Sequence, residues 1–189
     1  MKKSFILGTI FLSMVTFLIS PNLTFAENKG VTMKSVIVYY SYTGNTEMVA
    51  KTLAENIKAD TIKIEDVERP SKAKAYSAGA IAARQGKSWP IKPFNKDLSQ
   101  YGRIFVGCPV WFGMPAPEIN AFVEQTDFKG KDVVIFVTMG GSGENTAIKA
   151  LNSKITAKGG KIVSYFAVKT GMTNSEDIKS KTREIAKQY

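Results

Sequence analysis

The stretch that decides the fold is residues 35–46, which read Ser35-Val36-Ile37-Val38-Tyr39-Tyr40-Ser41-Tyr42-Thr43-Gly44-Asn45-Thr46. The first six residues form a continuous apolar and aromatic run, the pattern of a β-strand buried on both faces. The next six are small or polar, and from Asn45 to Ile57 apolar residues recur at helical spacing. A buried strand that turns directly into a helix begins a βαβ unit, so this stretch predicts a parallel sheet covered by helices.

The rest of the chain repeats the alternation of strand and helix. The patterns predict strands at 61–65, 104–110, 132–139 and 161–168, and helices at 72–87, 115–125, 144–157 and 174–188. The strand at 61–65 alternates polar and apolar residues, which indicates an edge of the sheet, and the proline-containing residues 88–102 are predicted to be a long connection. The sequence therefore predicts a doubly wound α/β fold, with a five-stranded parallel sheet in a three-layer α/β/α sandwich.

The first 26 residues have the layout of a secretory signal peptide. Two lysines are followed by an uncharged, mostly apolar run to Ser20 and by a small residue at Ala26. We therefore expect residues 1–26 to direct export, residues 27–34 to be a short linker and residues 35–189 to form the domain. An uncleaved membrane anchor is the alternative, because the apolar run carries no charge. In either case the domain is expected to act outside the cytoplasm.

Charge and composition exclude several classes of function. The formal net charge is +10, or +8 once Lys2 and Lys3 are set aside. The lysines are scattered and not interleaved with aromatic residues, which argues against nucleic-acid binding and leaves loose attraction to anionic membrane or cell-wall polymers as an alternative. The chain has no histidine, which excludes histidine-based triads and metal sites. Its single cysteine, Cys108, lies in an apolar run and is predicted to be a core residue.

The loop after the first predicted strand is a candidate phosphate site. Residues 41–46 combine hydroxyl groups with the free backbone N–H groups of a helix N-terminus, which suits one phosphate held by neutral donors. The loop has neither the lysine of a nucleoside-triphosphate loop nor the three glycines of a dinucleotide-binding fingerprint. An ordinary helix cap is the alternative explanation.

Two further loops follow strands of the same sheet and favour a planar ligand. Residues 109–113 present Trp111 and Phe112 between a proline and a glycine, a stiff apolar surface on which a ring system stacks. Residues 138–143 contain three glycines, which allow close approach of a ligand to the backbone. Because ligands in such sheets bind beyond the carboxyl ends of the strands, the three loops together predict a planar, phosphorylated ligand.

On these motifs the chain resembles the flavodoxins over residues 33–189. The loop at 41–46 is similar to their FMN-phosphate loop, and residues 104–113 and 138–143 are similar to their two ring-binding loops. The resemblance implies FMN as the cofactor, with its phosphate in the first loop and its isoalloxazine stacked on Trp111. The cofactor-binding residues it implies are Ser41, Tyr42, Thr43, Gly44, Asn45, Thr46, Pro109, Val110, Trp111, Phe112, Gly113, Thr138, Gly140, Gly141, Ser142 and Gly143.

The same resemblance implies an electron-transfer protein that exchanges electrons with redox proteins or with a small-molecule acceptor. Since the flavin carries the chemistry, no catalytic residue and no metal ligand are assigned. The chain departs from many flavodoxins in being basic and in having Gly140-Gly141 where an aromatic residue is common, so the second ring face is expected to be open or covered by Tyr76 or Trp89. An open face favours the first alternative, an FMN-dependent NAD(P)H:quinone or nitro reductase. The second alternative is an exported binding module without flavin.

Overall fold

Five parallel strands form the central sheet of the computed structural model, which describes residues 33–189. The strands are β1 (Ser35–Tyr40), β2 (Asp60–Ile64), β3 (Arg103–Trp111), β5 (Asp132–Met139) and β6 (Lys161–Lys169), and the short β4 (Met114–Pro115) pairs antiparallel with β3. Their spatial order is β2-β1-β3-β5-β6, so the predicted doubly wound sheet is confirmed and β2 lies at an edge as expected.

The helices are α1 (Asn45–Ile57), α2 (Lys72–Lys74), α3 (Ala80–Arg84), α4 (Pro117–Gln125), α5 (Glu144–Ala157) and α6 (Ser175–Ala186). Alternate strand residues feed two cores: Ile37 and Phe105 pack with α1 and α6 on one face, and Val38 and Val106 pack with α4 and α5 on the other. Both faces of the three central strands are therefore buried, as their continuous apolar runs predict.

The predicted signal peptide at 1–26 lies outside the described residues, as do all but the last two residues of the predicted linker at 27–34. Among residues 33–189 no helix has the length and hydrophobicity that a membrane crossing requires.

Two helices have different bounds in the structure from those predicted. The helix predicted at 72–87 ends at Arg84 and contains a π turn, Ala75–Gly79, between α2 and α3. The helix predicted from Pro115 begins two residues later, because Pro115 belongs to β4 and pairs with Val110. Pro117 takes the first helical position, where a proline loses no hydrogen bond.

Gly107, in the middle of β3, makes room for the ring of Phe136 on β5. The two residues are paired across the strands, and a methyl group added at Gly107 would overlap the Phe136 ring. That ring is fully buried, and it is stacked on Phe166 of β6 with the ring centres 5.4 Å apart, so a shift of the ring would disturb this packing.

We expect the Gly107→Ala substitution to lower the free energy of unfolding by about 1–3 kcal/mol, because overpacking a dense core forces side chains and backbone apart. Urea denaturation followed by circular dichroism measures the change. Gly141→Ala is the matched control, since no atom lies within 4 Å of its added methyl group. Equal effects of the two substitutions would contradict this account of the core.

Candidate functional site

A cleft of about 350 Å³ opens where the strands end, at the carboxyl edge of the sheet. Its volume lies within the range of small-molecule binding sites. We call it the carboxyl-edge cleft. The residues that line it are Tyr42, Thr43, Asn45, Ala75, Tyr76, Pro109, Val110, Trp111, Phe112, Thr138, Met139, Gly140, Thr170 and Gly171.

The cleft contains nine of the sixteen residues predicted from the sequence. These are Tyr42, Thr43, Asn45, Pro109, Val110, Trp111, Phe112, Thr138 and Gly140. The other seven lie in the same three loops without lining the cleft: Ser41, Gly44, Thr46, Gly113, Gly141, Ser142 and Gly143. The three loops therefore meet at one place, as the topology predicts.

Sequence reasoning missed four lining residues, Ala75, Met139, Thr170 and Gly171. Thr170 and Gly171 follow β6 and end at the same sheet edge, so their position after a predicted strand was a usable signal. Ala75 comes from the π turn and carries no such signal. Tyr76, expected only as a cover for the ring, lines the cleft, whereas Trp89 does not.

The first loop leaves the start of α1 open. Gly44, with a φ of 97° that favours glycine, precedes the helix, and its N–H donates to Ser41 Oγ at 3.2 Å. No side chain caps α1, whereas the side chain of Asn174 caps α6 by accepting a hydrogen bond from the Asp177 N–H. The N–H groups in the first turn of α1 are thus available to an anion.

A cation from outside the first loop holds that loop in place. Arg69, in the connection after β2, donates a hydrogen bond to the Tyr42 carbonyl at 2.7 Å, and its guanidinium lies 5.2 Å from the centre of the Tyr42 ring. The Tyr42 hydroxyl in turn donates to the Pro70 carbonyl at 3.1 Å. The loop itself is uncharged, as the sequence shows, but the fold brings a positive charge beside it.

The second loop is a tight β-hairpin. Trp111 pairs with Met114 across a two-residue turn, and the two central residues, Phe112 and Gly113, both have positive φ, 50° and 82°. Such turns match the twist of a hairpin, but a phenylalanine with positive φ is strained by about 1–2 kcal/mol. The Phe112 side chain is 62% exposed, so burial of its ring does not offset this strain.

Trp111 is fixed by three other aromatic rings. Tyr40, Tyr42 and Trp89 meet it edge-to-face, with ring centres at 6.4, 5.8 and 6.3 Å. Gly79 of the π turn approaches so closely that a methyl group there would lie 2.6 Å from the Trp111 ring. These contacts set the orientation of the Trp111 ring in the cleft wall.

The third loop is tied to its neighbours through a buried hydrogen bond and two glycine contacts. The hydroxyls of Thr46 and Thr138, both buried, are 2.8 Å apart and join α1 to the end of β5. A methyl group at Gly143 would lie 2.8 Å from the Gly113 Cα, and one at Gly171 would overlap the Gly140 carbonyl. The loops that follow β3, β5 and β6 therefore touch backbone to backbone.

The cleft lining is electrically neutral, because none of its residues carries a charge. Three ionisable groups are buried nearby, Tyr40 of β1, Cys108 of β3 and Glu118 of α4. Burial, with the nearby Asp66 carboxylate, raises the pKa of Glu118 to about 8. Burial raises the pKa of Cys108 to about 12, so this residue remains a thiol in the core, as predicted.

Comparisons with known proteins agree on one family. The flavodoxin family model matches residues 34–178. The chain is similar to a putative flavoprotein from Bacteroides uniformis, with a TM-score of 0.68 and 25% identity over 78% of this chain and 96% of that one. It is also similar to a flavoprotein from Lactobacillus acidophilus solved in complex with FMN, with a TM-score of 0.63 and 26% identity over 71% and 93% of the two chains.

A curated relative carries an enzyme name. An NAD(P)H dehydrogenase (quinone) from Cupriavidus metallidurans is 27% identical over 135 residues, which are 71% of this chain and 63% of the relative. The chain spans between 46% and 65% of the length of this relative and of three others with the same enzyme name.

Removing one hydroxyl of the Thr46–Thr138 pair is expected to lower the free energy of unfolding more than removing both. Replacing either threonine by valine leaves a buried hydroxyl without a partner and should cost about 1–3 kcal/mol of unfolding free energy. The double variant Thr46→Val with Thr138→Val should recover much of that loss, which a double-mutant cycle measures by thermal or urea denaturation. Additive losses would show that the two hydroxyls do not interact.

Proposed function

Because the chain belongs to the flavodoxin family, we propose that it binds FMN in the carboxyl-edge cleft and passes electrons to a redox partner. The observation that carries the proposal is the fit of the cleft to this group. An uncapped helix start suits the phosphate, and a neutral wall containing Trp111 suits the planar ring. The similarity to a flavoprotein solved with FMN supports the same cofactor.

Different residues of the chain would bind the phosphate and the ring of FMN. The hydroxyl of Thr43 and the open N–H groups of α1 hold the phosphate, while the Arg69 guanidinium fixes the loop through the Tyr42 carbonyl. Trp111 provides the ring contact, and the exposed Gly140 offers backbone groups to the ring's polar edge. When bound, FMN supplies the one- and two-electron chemistry that no side chain in the cleft can perform.

The Phe112-Gly113 peptide is suited to respond to the charge of the bound group. Both residues have positive φ, and Gly113 has open space where a side chain would lie, so the peptide between them can turn at low cost. In one orientation its carbonyl can accept a hydrogen bond from a protonated group, and in the other its N–H can donate a hydrogen bond to an unprotonated one. The hairpin thereby places an adjustable hydrogen-bonding group at the cleft.

Quinone reduction with NAD(P)H is the second candidate, favoured by the name of the curated relative from Cupriavidus metallidurans. The rim of the cleft is apolar and accessible, since Tyr76 is 67% exposed and Phe112 also faces solvent. Such a rim gives a second planar molecule a surface on which to stack beside the flavin.

The partner of an electron carrier with this charge would be acidic. A net charge of +8 on residues 27–189 attracts negatively charged surfaces over about one Debye length, near 8–10 Å at physiological salt. We further propose, from the pattern of residues 1–26 alone, that this exchange takes place outside the cytoplasm.

We expect the purified protein to bind FMN at least about tenfold more tightly than riboflavin, because only FMN carries the phosphate that the first loop would hold. Quenching of flavin and tryptophan fluorescence measures both affinities. Thr43→Val should weaken the binding of FMN and leave that of riboflavin unchanged. Thr146→Val on α5, outside the cleft, should change neither affinity. Equal affinity for the two flavins would contradict a phosphate site in the first loop.

Reductive titration of the FMN-loaded protein distinguishes the two candidate activities. A carrier should take up electrons in two resolved one-electron steps, visible as separate changes in the absorption spectrum. A quinone reductase should take up both electrons together and oxidise NADH or NADPH in the presence of a quinone. Reduction in one step without any NAD(P)H oxidation would contradict both assignments.

A further inference from the structure

Glu118 is a buried acid whose role neither the FMN site nor the core explains. It is the second residue of α4, its relative exposure is 0%, and neither carboxylate oxygen has a hydrogen-bond partner among the described side chains and backbone groups. Burying an ionised carboxylate without a partner costs several kcal/mol of folding free energy. A protonated carboxyl group avoids most of this cost.

The ionisable groups that face Glu118 come from three elements. Tyr40, at the end of β1, is buried and donates a hydrogen bond to Asp66 at 3.3 Å, and Asp66 lies in the connection after β2. Cys108 lies on β3, and the charge of Glu118 contributes to the raised pKa of its thiol. None of the ion pairs within residues 33–189 includes Glu118. No cation therefore compensates a negative charge at this position.

Glu118 is a group that changes charge near neutral pH. Burial and the Asp66 carboxylate raise its pKa to about 8. Burial, with the nearby acids, raises the pKa of Tyr40 far above its usual range, and Cys108 stays protonated up to about 12. Glu118 is thus a neutral acid below about pH 8 and an uncompensated anion above it.

The cluster lies directly behind the wall of the carboxyl-edge cleft. The ring of Tyr40 contacts the ring of Trp111 edge-to-face at 6.4 Å, and Trp111 lines the cleft. Cys108 immediately precedes Pro109, another lining residue, whose carbonyl accepts a hydrogen bond from the Ala116 N–H two residues before Glu118. Tyr40, Cys108 and the helix neighbours of Glu118, Ala116 and Ile119, belong to one buried apolar cluster against which Trp111 packs. Such an apolar interior screens charge poorly.

We propose that Glu118 is a positioning residue that sets the electron affinity of the cleft through its own protonation. As a neutral acid it leaves the cleft wall uncharged, and as an anion it opposes the negative charge that reduction adds to a bound flavin. The electrons come from the external reductant and the proton passes from solvent to the Glu118 carboxylate, with no covalent bond formed to the cofactor. The inference rests on the proposed function, namely FMN binding in this cleft.

The decisive experiment is a redox titration of the full-length, FMN-loaded protein at a series of pH values from about 6 to 9.5. Against a reference redox couple, the ratio of reduced to oxidised flavin should fall with pH more steeply in the wild type than in Glu118→Gln, with an excess of roughly tenfold at the alkaline end. The control variant Glu124→Gln, which removes a partly exposed carboxylate of the same helix, should follow the wild type.

A second variant tests whether Tyr40 influences the titration of Glu118. The Tyr40 hydroxyl donates its hydrogen bond to Asp66 and not to Glu118, but it still lowers the pKa of Glu118. Tyr40→Phe should therefore raise the pKa of Glu118 and move the extra pH dependence to higher pH. A purely structural role for Tyr40 would not shift the position of a titration in this way.

Two measurements on the flavin-free protein support the test. The infrared band of a protonated carboxyl should be present at pH 6, disappear near pH 8 and be missing in Glu118→Gln. Because the folded-state pKa lies above the unfolded-state value, this acid stabilises the fold below the unfolded-state pKa and loses that contribution as pH rises towards 8. The melting temperature of the wild type should therefore fall over that range relative to that of Glu118→Gln.

The outcomes separate the two proposals. Bound FMN with parallel pH dependence in the wild type and Glu118→Gln would overturn the role of Glu118 and leave the proposed function intact. An ionised Glu118 at pH 6 in the infrared spectrum would also overturn it. Failure of the wild type to bind FMN would overturn the proposed function and this inference with it.

Discussion

Parallel pairing of β1 with β3 and of β3 with β5 is the constraint on which the rest of the molecule depends. The registers Tyr39–Gly107 and Cys108–Val137 bring together chain ends that are far apart in sequence. Because all five strands run in the same direction, each one delivers the loop at its carboxyl end to the same edge. The cleft is a consequence of this geometry, and the hydroxyl pair of Thr46 and Thr138 links its first and third loops.

Because the cleft is neutral and the protein is basic, the charges that attract a partner lie apart from the site that would bind a ligand. Surface lysines act at long range on whatever approaches, and salt screens them. The cleft lining is uncharged, and the Arg69 guanidinium lies beside the first loop. In our proposal, Glu118 adds a negative charge behind the cleft wall at alkaline pH. In our proposals, attraction of a partner and adjustment of the site would therefore be controlled by different residues.

Most of the fold could be predicted from the sequence, because buried parallel strands have continuous apolar runs and the helices between them have a clear period. The loops were predictable for the same reason, since each follows such a run. The hairpin at Trp111 was not, because Pro115 fits a helix start as well as a short strand. Arg69 was missed because nothing local fixes the path of a connection. Glu118 looks like an ordinary acid in a first helical turn, and only the packing shows that it is buried.

The contacts among glycines at the cleft have a consequence for the rate of ligand entry. Gly143 rests against Gly113, and Gly171 rests against Gly140, so the loops after β3, β5 and β6 support one another through the backbone. Loops that are already braced lose little conformational entropy when a ligand arrives. Association is then limited by diffusion and orientation, and a single kinetic phase without a slow rearrangement follows from the way these glycines pack.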